Sequence, residues 1–113
     1  MSEREERIAR TEALFRDVNE RIAESAERFC ARDAEFVCEC GDPGCVERVP
    51  ATLEQYEDVR SNGTTFMVVP GHEIPSVERV VKRPHLRLTV VEKFNRVMVQ
   101  TLRRLNPRPK LAQ

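Results

Sequence analysis

Tryptophan is absent from this chain, and its 113 residues include one tyrosine, four glycines and two histidines. The shortage of aromatic rings leaves Phe94 alone to stack on bases in the basic C-terminal stretch, which argues against readout of single-stranded nucleic acid. The shortage of glycine leaves no phosphate-cradling loop, and no H-E-x-x-H pair is present to hold a catalytic zinc. No run approaches the roughly 20 apolar residues of a membrane span. The N-terminus is charged where a signal peptide would be apolar, so a cytoplasmic chain with reduced thiols is expected and structural disulfides are not.

Charge is abundant: 34% of residues are ionisable Asp, Glu, Lys or Arg, against 40% hydrophobic. A chain this short makes one domain with extensions, marginal on apolar burial alone and helped by a metal staple. The net charge of zero hides an asymmetry, because residues 1–61 are acidic on balance and residues 62–113 are equally basic. The two parts can attract each other, within a chain or between chains, while the basic part can attract phosphate.

Ser2 and Glu5 have capping-box spacing, and no Gly or Pro interrupts the chain from there to about Arg32. Ile8, Phe15, Ile22 and Phe29 recur every seven residues with Val18 between, which predicts an amphipathic helix of roughly 45 Å that buries its stripe against its own domain or a partner. A hairpin is expected across residues 35–50, with Gly41-Asp42-Pro43-Gly44 as its turn. Thr52 caps a second helix that ends at Ser61-Asn62-Gly63, and Phe66–Val69 is a strand. Pro75 opens a short helix with Val77, Val80 and Val81 on one face. Residues 86–92 alternate as a strand, and residues 94–105 suit a basic amphipathic helix. The tail from Asn106, rich in Pro, is expected to be disordered. The fold class is α+β: a long N-terminal helix (1–33), a small, mostly antiparallel metal-stapled domain with short helices (34–93), and a basic C-terminal helix and tail (94–113).

Three of the four cysteines fall in C-x-C-x4-C, at Cys38, Cys40 and Cys45. Zinc prefers thiolate and imidazole, and structural sites are closed tetrahedra, so one ligand must come from elsewhere. His72, just beyond a strand and beside Gly71, is the preferred fourth. Cys30, beside Phe29 near a helix end, reads as a packed thiol and is the next choice; His85 is the third. An iron–sulfur cluster on four cysteines, a packed or reactive thiol cluster and disulfide chemistry are the competing readings.

The stretches FVCECGDPGC, EQYEDVR, FMVVPGHE, VERVVKR and VVEK, in that order, resemble a group of small actinobacterial proteins to which no established activity attaches. The resemblance covers residues 10 to 93, and it groups Cys38, Cys40 and Cys45 with His72 while leaving Cys30 outside the motifs. This chain departs from the group's pattern at Ile74, where an Asp would cap better, and in the basic extension after Lys93.

An enzyme needs an open metal position or a nucleophile with its base. Glu73 is the candidate base, yet a closed three-thiolate site is structural, and the ordinary reading of such a Glu is a solvated carboxylate. Lys82, Arg83, Arg87, Lys93, Arg96, Arg103, Arg104, Arg108 and Lys110 could face phosphates, although a charged run is more commonly a solvated face. The reading that follows is a zinc-stabilised, non-catalytic interaction domain that meets a protein partner or itself. A nucleic-acid-binding regulator using Arg96, Arg103, Arg104, Arg108 and Lys110 is the runner-up, and a metal-dependent enzyme with an open zinc site is third. No membrane partner is expected.

Overall fold

Ser2 starts the first helix: its hydroxyl accepts the Glu5 amide at 3.1 Å and donates to the Glu5 carboxylate at 3.0 Å. Glu3, Glu5 and Glu6 in the first turn complement the helix dipole. Helix α1 runs Glu3–Arg28, shorter than the expected extension to Arg32. Cys30 stops it by adopting a left-handed conformation, φ 57°. The Cys30 amide then bonds the Glu27 carbonyl and the Ala31 amide the Ala26 carbonyl, the two bonds of a Schellman cap. The Cys30 side chain is exposed, so it is a cap residue and not the packed thiol expected.

This computed structural model describes residues 2–108. The architecture is α+β, with two antiparallel sheets where a single one was expected. Strands β1 (Asp33–Val37) and β2 (Arg48–Thr52) form the hairpin around the cysteine loop. Thr52 and Gln55 then complete a capping box for α2 (Leu53–Arg60). Strands β3 (Thr65–Val68), β4 (Glu78–His85) and β5 (Leu88–Lys93) make the second sheet in the order β3-β5-β4. Helix α3 (Arg96–Arg104) starts at Asn95, whose side chain caps Val97 and Met98.

The core joins both sheets and all three helices: Phe36 stacks on Tyr56 at 4.6 Å, with Phe66, Met67, Leu88, Val91, Met98 and Leu102 buried around them. Helix α1 meets this core with an inner face that is largely polar. Ile8, Ala9 and Ala23 are buried there, but so are Glu12, Arg16 and Asn19, spaced as one helical stripe. The Arg16 guanidinium donates to the Gly63 carbonyl at 2.7 Å and to the Thr65 carbonyl, and lies 3.7 Å from the centre of the Phe66 ring. Lys93 Nζ is 2.5 Å from Glu12 and also bonds Glu78, with all three side chains buried.

The heptad stripe is covered by its own domain only in part: Ile8 is buried, Phe15 and Ile22 are half-buried, and Phe29 is 76% exposed. Three expectations are corrected. Residues 75–81 do not form a helix. One turn closes on the Ile74 carbonyl, and the chain then extends as β4 because β5 offers an antiparallel ladder, interrupted by irregularities after Val80 and Lys82, and Lys93 draws Glu78 inward. Leu86 is not on a strand face but in the β4–β5 turn, 96% exposed. Asn106 and Arg108, within the tail expected to be disordered, are bonded: Asn106 accepts from Arg60 at 2.7 Å, and Arg108 pairs with Glu20 at 2.6 Å and Glu57 at 2.8 Å. Lys110 lies outside the described residues.

Two outcomes are expected. Cys30→Gly removes the cost of a left-handed non-glycine residue, about 1 kcal/mol, and should raise the melting temperature by roughly 4 °C without changing metal content. Burial holds the Glu12 carboxyl up at about 8, so near neutral pH Glu12 stays protonated beside the Lys93–Glu78 pair. A carboxyl raised in the folded state contributes most at low pH and loses that contribution as pH rises from 4.5 through about 8. Glu12→Gln should therefore flatten the decline in stability across that window, measured by chemical denaturation at several pH values.

Candidate metal centre

Strand β1 leads directly into the cysteine loop. Past Val37 the backbone continues extended: the Cys38 amide bonds the Glu47 carbonyl at 3.1 Å and the Glu39 amide bonds the Met67 carbonyl at 2.8 Å. The loop thus leaves the first hairpin and touches β3 of the second sheet. The turn that follows is set by Asp42-Pro43-Gly44: the Gly44 amide donates to the Asp42 side chain at 2.9 Å, and the Cys45 amide reaches the Asp42 carbonyl at 3.1 Å. Gly41 packs against α1 so closely that a Cβ there would meet Ile8 at 2.8 Å.

The histidine arrives from the other sheet. Val69-Pro70-Gly71-His72 is a β-turn closed by the His72 amide on the Val69 carbonyl at 2.9 Å, with Gly71 at φ 95°. That is the type II pattern, with Pro presetting the first central position and Gly supplying the positive φ of the second.

The structure brings Cys38, Cys40, Cys45 and His72 together, their ligand atoms all within 4.8 Å of one another. His72 Nδ1 is 3.5 Å from Cys38 Sγ and 3.7 Å from Cys45 Sγ. A tetrahedral zinc with bonds of about 2.3 Å to sulfur and 2.0–2.1 Å to nitrogen would set those atoms about 3.6 Å apart. Cys38 and Cys40 are buried, and Cys45 and His72 are half-buried. The donor set and its spacing therefore fit a metal ion.

The electrostatics point the same way. The hydrogen bond from Cys38 holds the Cys40 thiol down at about 5 against the effect of burial, helped by the Asp42 amide and His72. The same bond to Cys40, together with burial, pushes Cys38 up, and burial raises Cys45. One thiolate forms readily, and each further one is opposed by the charge already present. A bound cation removes that opposition. The Val69 amide, 3.3 Å from Cys38 Sγ, is already aimed at the sulfur.

Neither alternative fourth ligand joins the cluster. Cys30 is exposed at the end of α1. His85 accepts the Arg87 amide on Nδ1 at 3.1 Å, leaving Nε2 to donate to the Pro50 carbonyl at 2.9 Å. The Glu73 carboxylate accepts the Gly71 amide at 3.0 Å and stabilises the turn that presents His72.

Two residues behind the site were not singled out from the sequence. Glu39, between two cysteines, is fully buried; its carboxylate accepts the Met67 amide at 3.0 Å and the Asn19 side-chain amide at 2.8 Å. Asn19 also pairs with both backbone groups of Val37, at 2.8 and 2.9 Å. The only signal was a carboxylate flanked by cysteines straight after an apolar strand.

Comparison with family models, with curated proteins and with solved structures finds no match to this chain.

Cys45→Ser and His72→Ala should each lower bound metal several-fold, measured by elemental analysis of purified protein, while Cys30→Ser leaves it unchanged.

Proposed function

We propose that the chain is a zinc-stapled, non-catalytic interaction domain. The observation that carries the reading is the pair of sulfur-to-nitrogen separations, 3.5 and 3.7 Å, matching those of a tetrahedral thiolate–imidazole zinc site. The order of motifs shared with the actinobacterial group supports it, since those motifs contain the same four side chains.

A structural role is supported by where the ligands come from. Cys38, Cys40 and Cys45 belong to the loop of the first hairpin, and His72 to the turn after β3. Zinc held by all four would clamp one sheet to the other and keep no open position for substrate.

Purified protein should carry one zinc per chain, and removing it should lower stability by several kcal/mol, a fall in melting temperature of at least about 10 °C. An unchanged melt after verified metal removal would contradict the proposal.

A further inference from the structure

We infer that the metal centre is also a site of thiol oxidation: hydrogen peroxide attacks Cys45, Cys40 closes a disulfide on it, and zinc leaves. The inference rests on the zinc reading and adds a regulation to the same four side chains.

The sulfur ligands are not equally reachable. Cys38 is 1% exposed and Cys40 4%. Cys45 is half-buried and stands inside an exposed run, with residues 42–44 before it and 46–48 after it open to solvent. A metal-bound thiolate keeps the deprotonated form that attacks an oxidant. A small oxidant arriving from solvent therefore meets Cys45 before the other two sulfurs.

The second thiol is already near. The ligand atoms of the cluster lie within 4.8 Å of one another, and closing a bond of about 2.05 Å requires a further approach. Cys38 is poorly placed to make it. Its amide donates to the Glu47 carbonyl, and its sulfur accepts the Val69 amide at 3.3 Å. On either side of it, Val37 is tied to Asn19 and Glu39 to Met67. Cys40 and Cys45 instead flank the exposed tip of the loop, where Asp42 accepts the amides of Gly44 and Cys45. Drawing their sulfurs together reshapes that tip and leaves the strands in place.

The Cys45 thiolate breaks the O–O bond of peroxide and displaces hydroxide, which leaves a sulfenic acid on Cys45. The Cys40 thiolate then attacks that sulfur and displaces a second hydroxide, forming the S–S bond. The two thiolates together lose two electrons, peroxide gains them, and the two hydroxides take protons from solvent to become water. Cys38 and His72 alone cannot complete a tetrahedron, so the zinc is released.

What oxidation switches follows from where the ligands come from. Cys40 and Cys45 both belong to the first hairpin, and His72 to the turn after β3. A disulfide closes the hairpin loop on itself and does not replace the tie to His72. Oxidation thus unfastens the His72 turn from the loop. Glu39 keeps its bonds to Met67 and Asn19, so the base of the loop stays docked and reduction returns the ligands to their places.

The test uses zinc-loaded, full-length Cys30→Ser protein, which lacks the exposed thiol outside the cluster. Hydrogen peroxide is added while a chromogenic chelator reports free zinc, and peptide mass spectrometry maps the sulfur. About one zinc per chain should be released, with a Cys40–Cys45 disulfide formed and Cys38 still open to alkylation. Dithiothreitol and added zinc should restore the bound metal. With dimedone present, the sulfenic acid adduct should fall on Cys45 at least about tenfold more than on Cys38. Amide exchange at His72 should quicken at least about tenfold on oxidation, while the Met67 amide stays protected. Zinc that stays bound under peroxide, with all three thiols intact, overturns the inference and leaves the staple standing. A disulfide formed by Cys38 overturns the choice of Cys40 as the second thiol. Protein that takes up no zinc fails earlier, at the metal reading itself, and takes the inference with it.

Discussion

A carboxylate buried between two thiols is the constraint around which this fold is arranged. Glu39 has no exposure to water, and burial raises its pKa, so its oxygens can be kept inside the protein without a large cost only where hydrogen-bond donors meet them. The Met67 amide supplies one donor and Asn19 another, with the charge of Arg16 near by. Those three groups belong to β3 and α1. Satisfying one side chain therefore brings the second sheet and the long helix to the cysteine loop. The loop is then held at the position where His72, on the turn after β3, reaches Cys38 and Cys45. A site whose ligands come from two sheets needs such a fixed junction, because an error of an ångström between them would spoil a tetrahedron.

The same demand explains why α1 turns a polar face inward. Glu12, Arg16 and Asn19 answer Lys93, the β3 carbonyls and Glu39 respectively. A helix that spends its inner face on polar partners has its apolar residues to place elsewhere. Ile8 and Ile22 reach the edge of the core, while Leu14, Val18 and Phe29 are left outside. Buried ion pairs contribute little net stability compared with well-packed apolar residues, but they punish wrong docking severely. The helix is thereby fixed in rotation about its axis, and its outer stripe is presented in one orientation.

Local chemistry made some elements readable from sequence and long-range chemistry hid others. Ser2, Thr52 and the Ser61-Asn62-Gly63 stop act within a few residues of themselves, and the start of α1 and both ends of α2 followed from them to within a few positions. The cysteine cluster was legible because three thiols in one turn have few uses, and His72 because Pro70 and Gly71 announce a tight turn. The stripe of Glu12, Arg16 and Asn19 had no such signal. Their partners lie far along the chain, Glu12 with Lys93 and Arg16 with Gly63, and hydrophobic periodicity counts polar residues as outward by construction. Residues 75–81 failed for a related reason. Val77, Val80 and Val81 fit a helical face, but β5 supplies a ladder, and the bulge after Val80 turns Val81 to solvent.

The opposite charges of the two parts of the chain find each other largely inside one molecule. Lys82 pairs with Asp58, and Arg108 with both Glu20 and Glu57, each a base from the second part meeting an acid from the first. Arg108 is held firmly: the hydrogen bonds it donates to Glu20 and Glu57 raise its pKa, and Glu20 is lowered to about 2 despite burial by bonds from Arg108 and Tyr56. Lys82 and Arg108 are thus paired within the fold, while Arg83 and Arg87 stay exposed and hold no ion pair among the described residues. On α3, Arg96, Arg103 and Arg104 remain exposed, but Arg96 stands at the first turn and the other two at the last. Affinity for nucleic acid rises with the number of phosphates engaged together, and cations spent within the fold cannot release counterions from a duplex. Part of the charge asymmetry thus serves, in the folded chain, to fasten the C-terminal segment to α1 and α2.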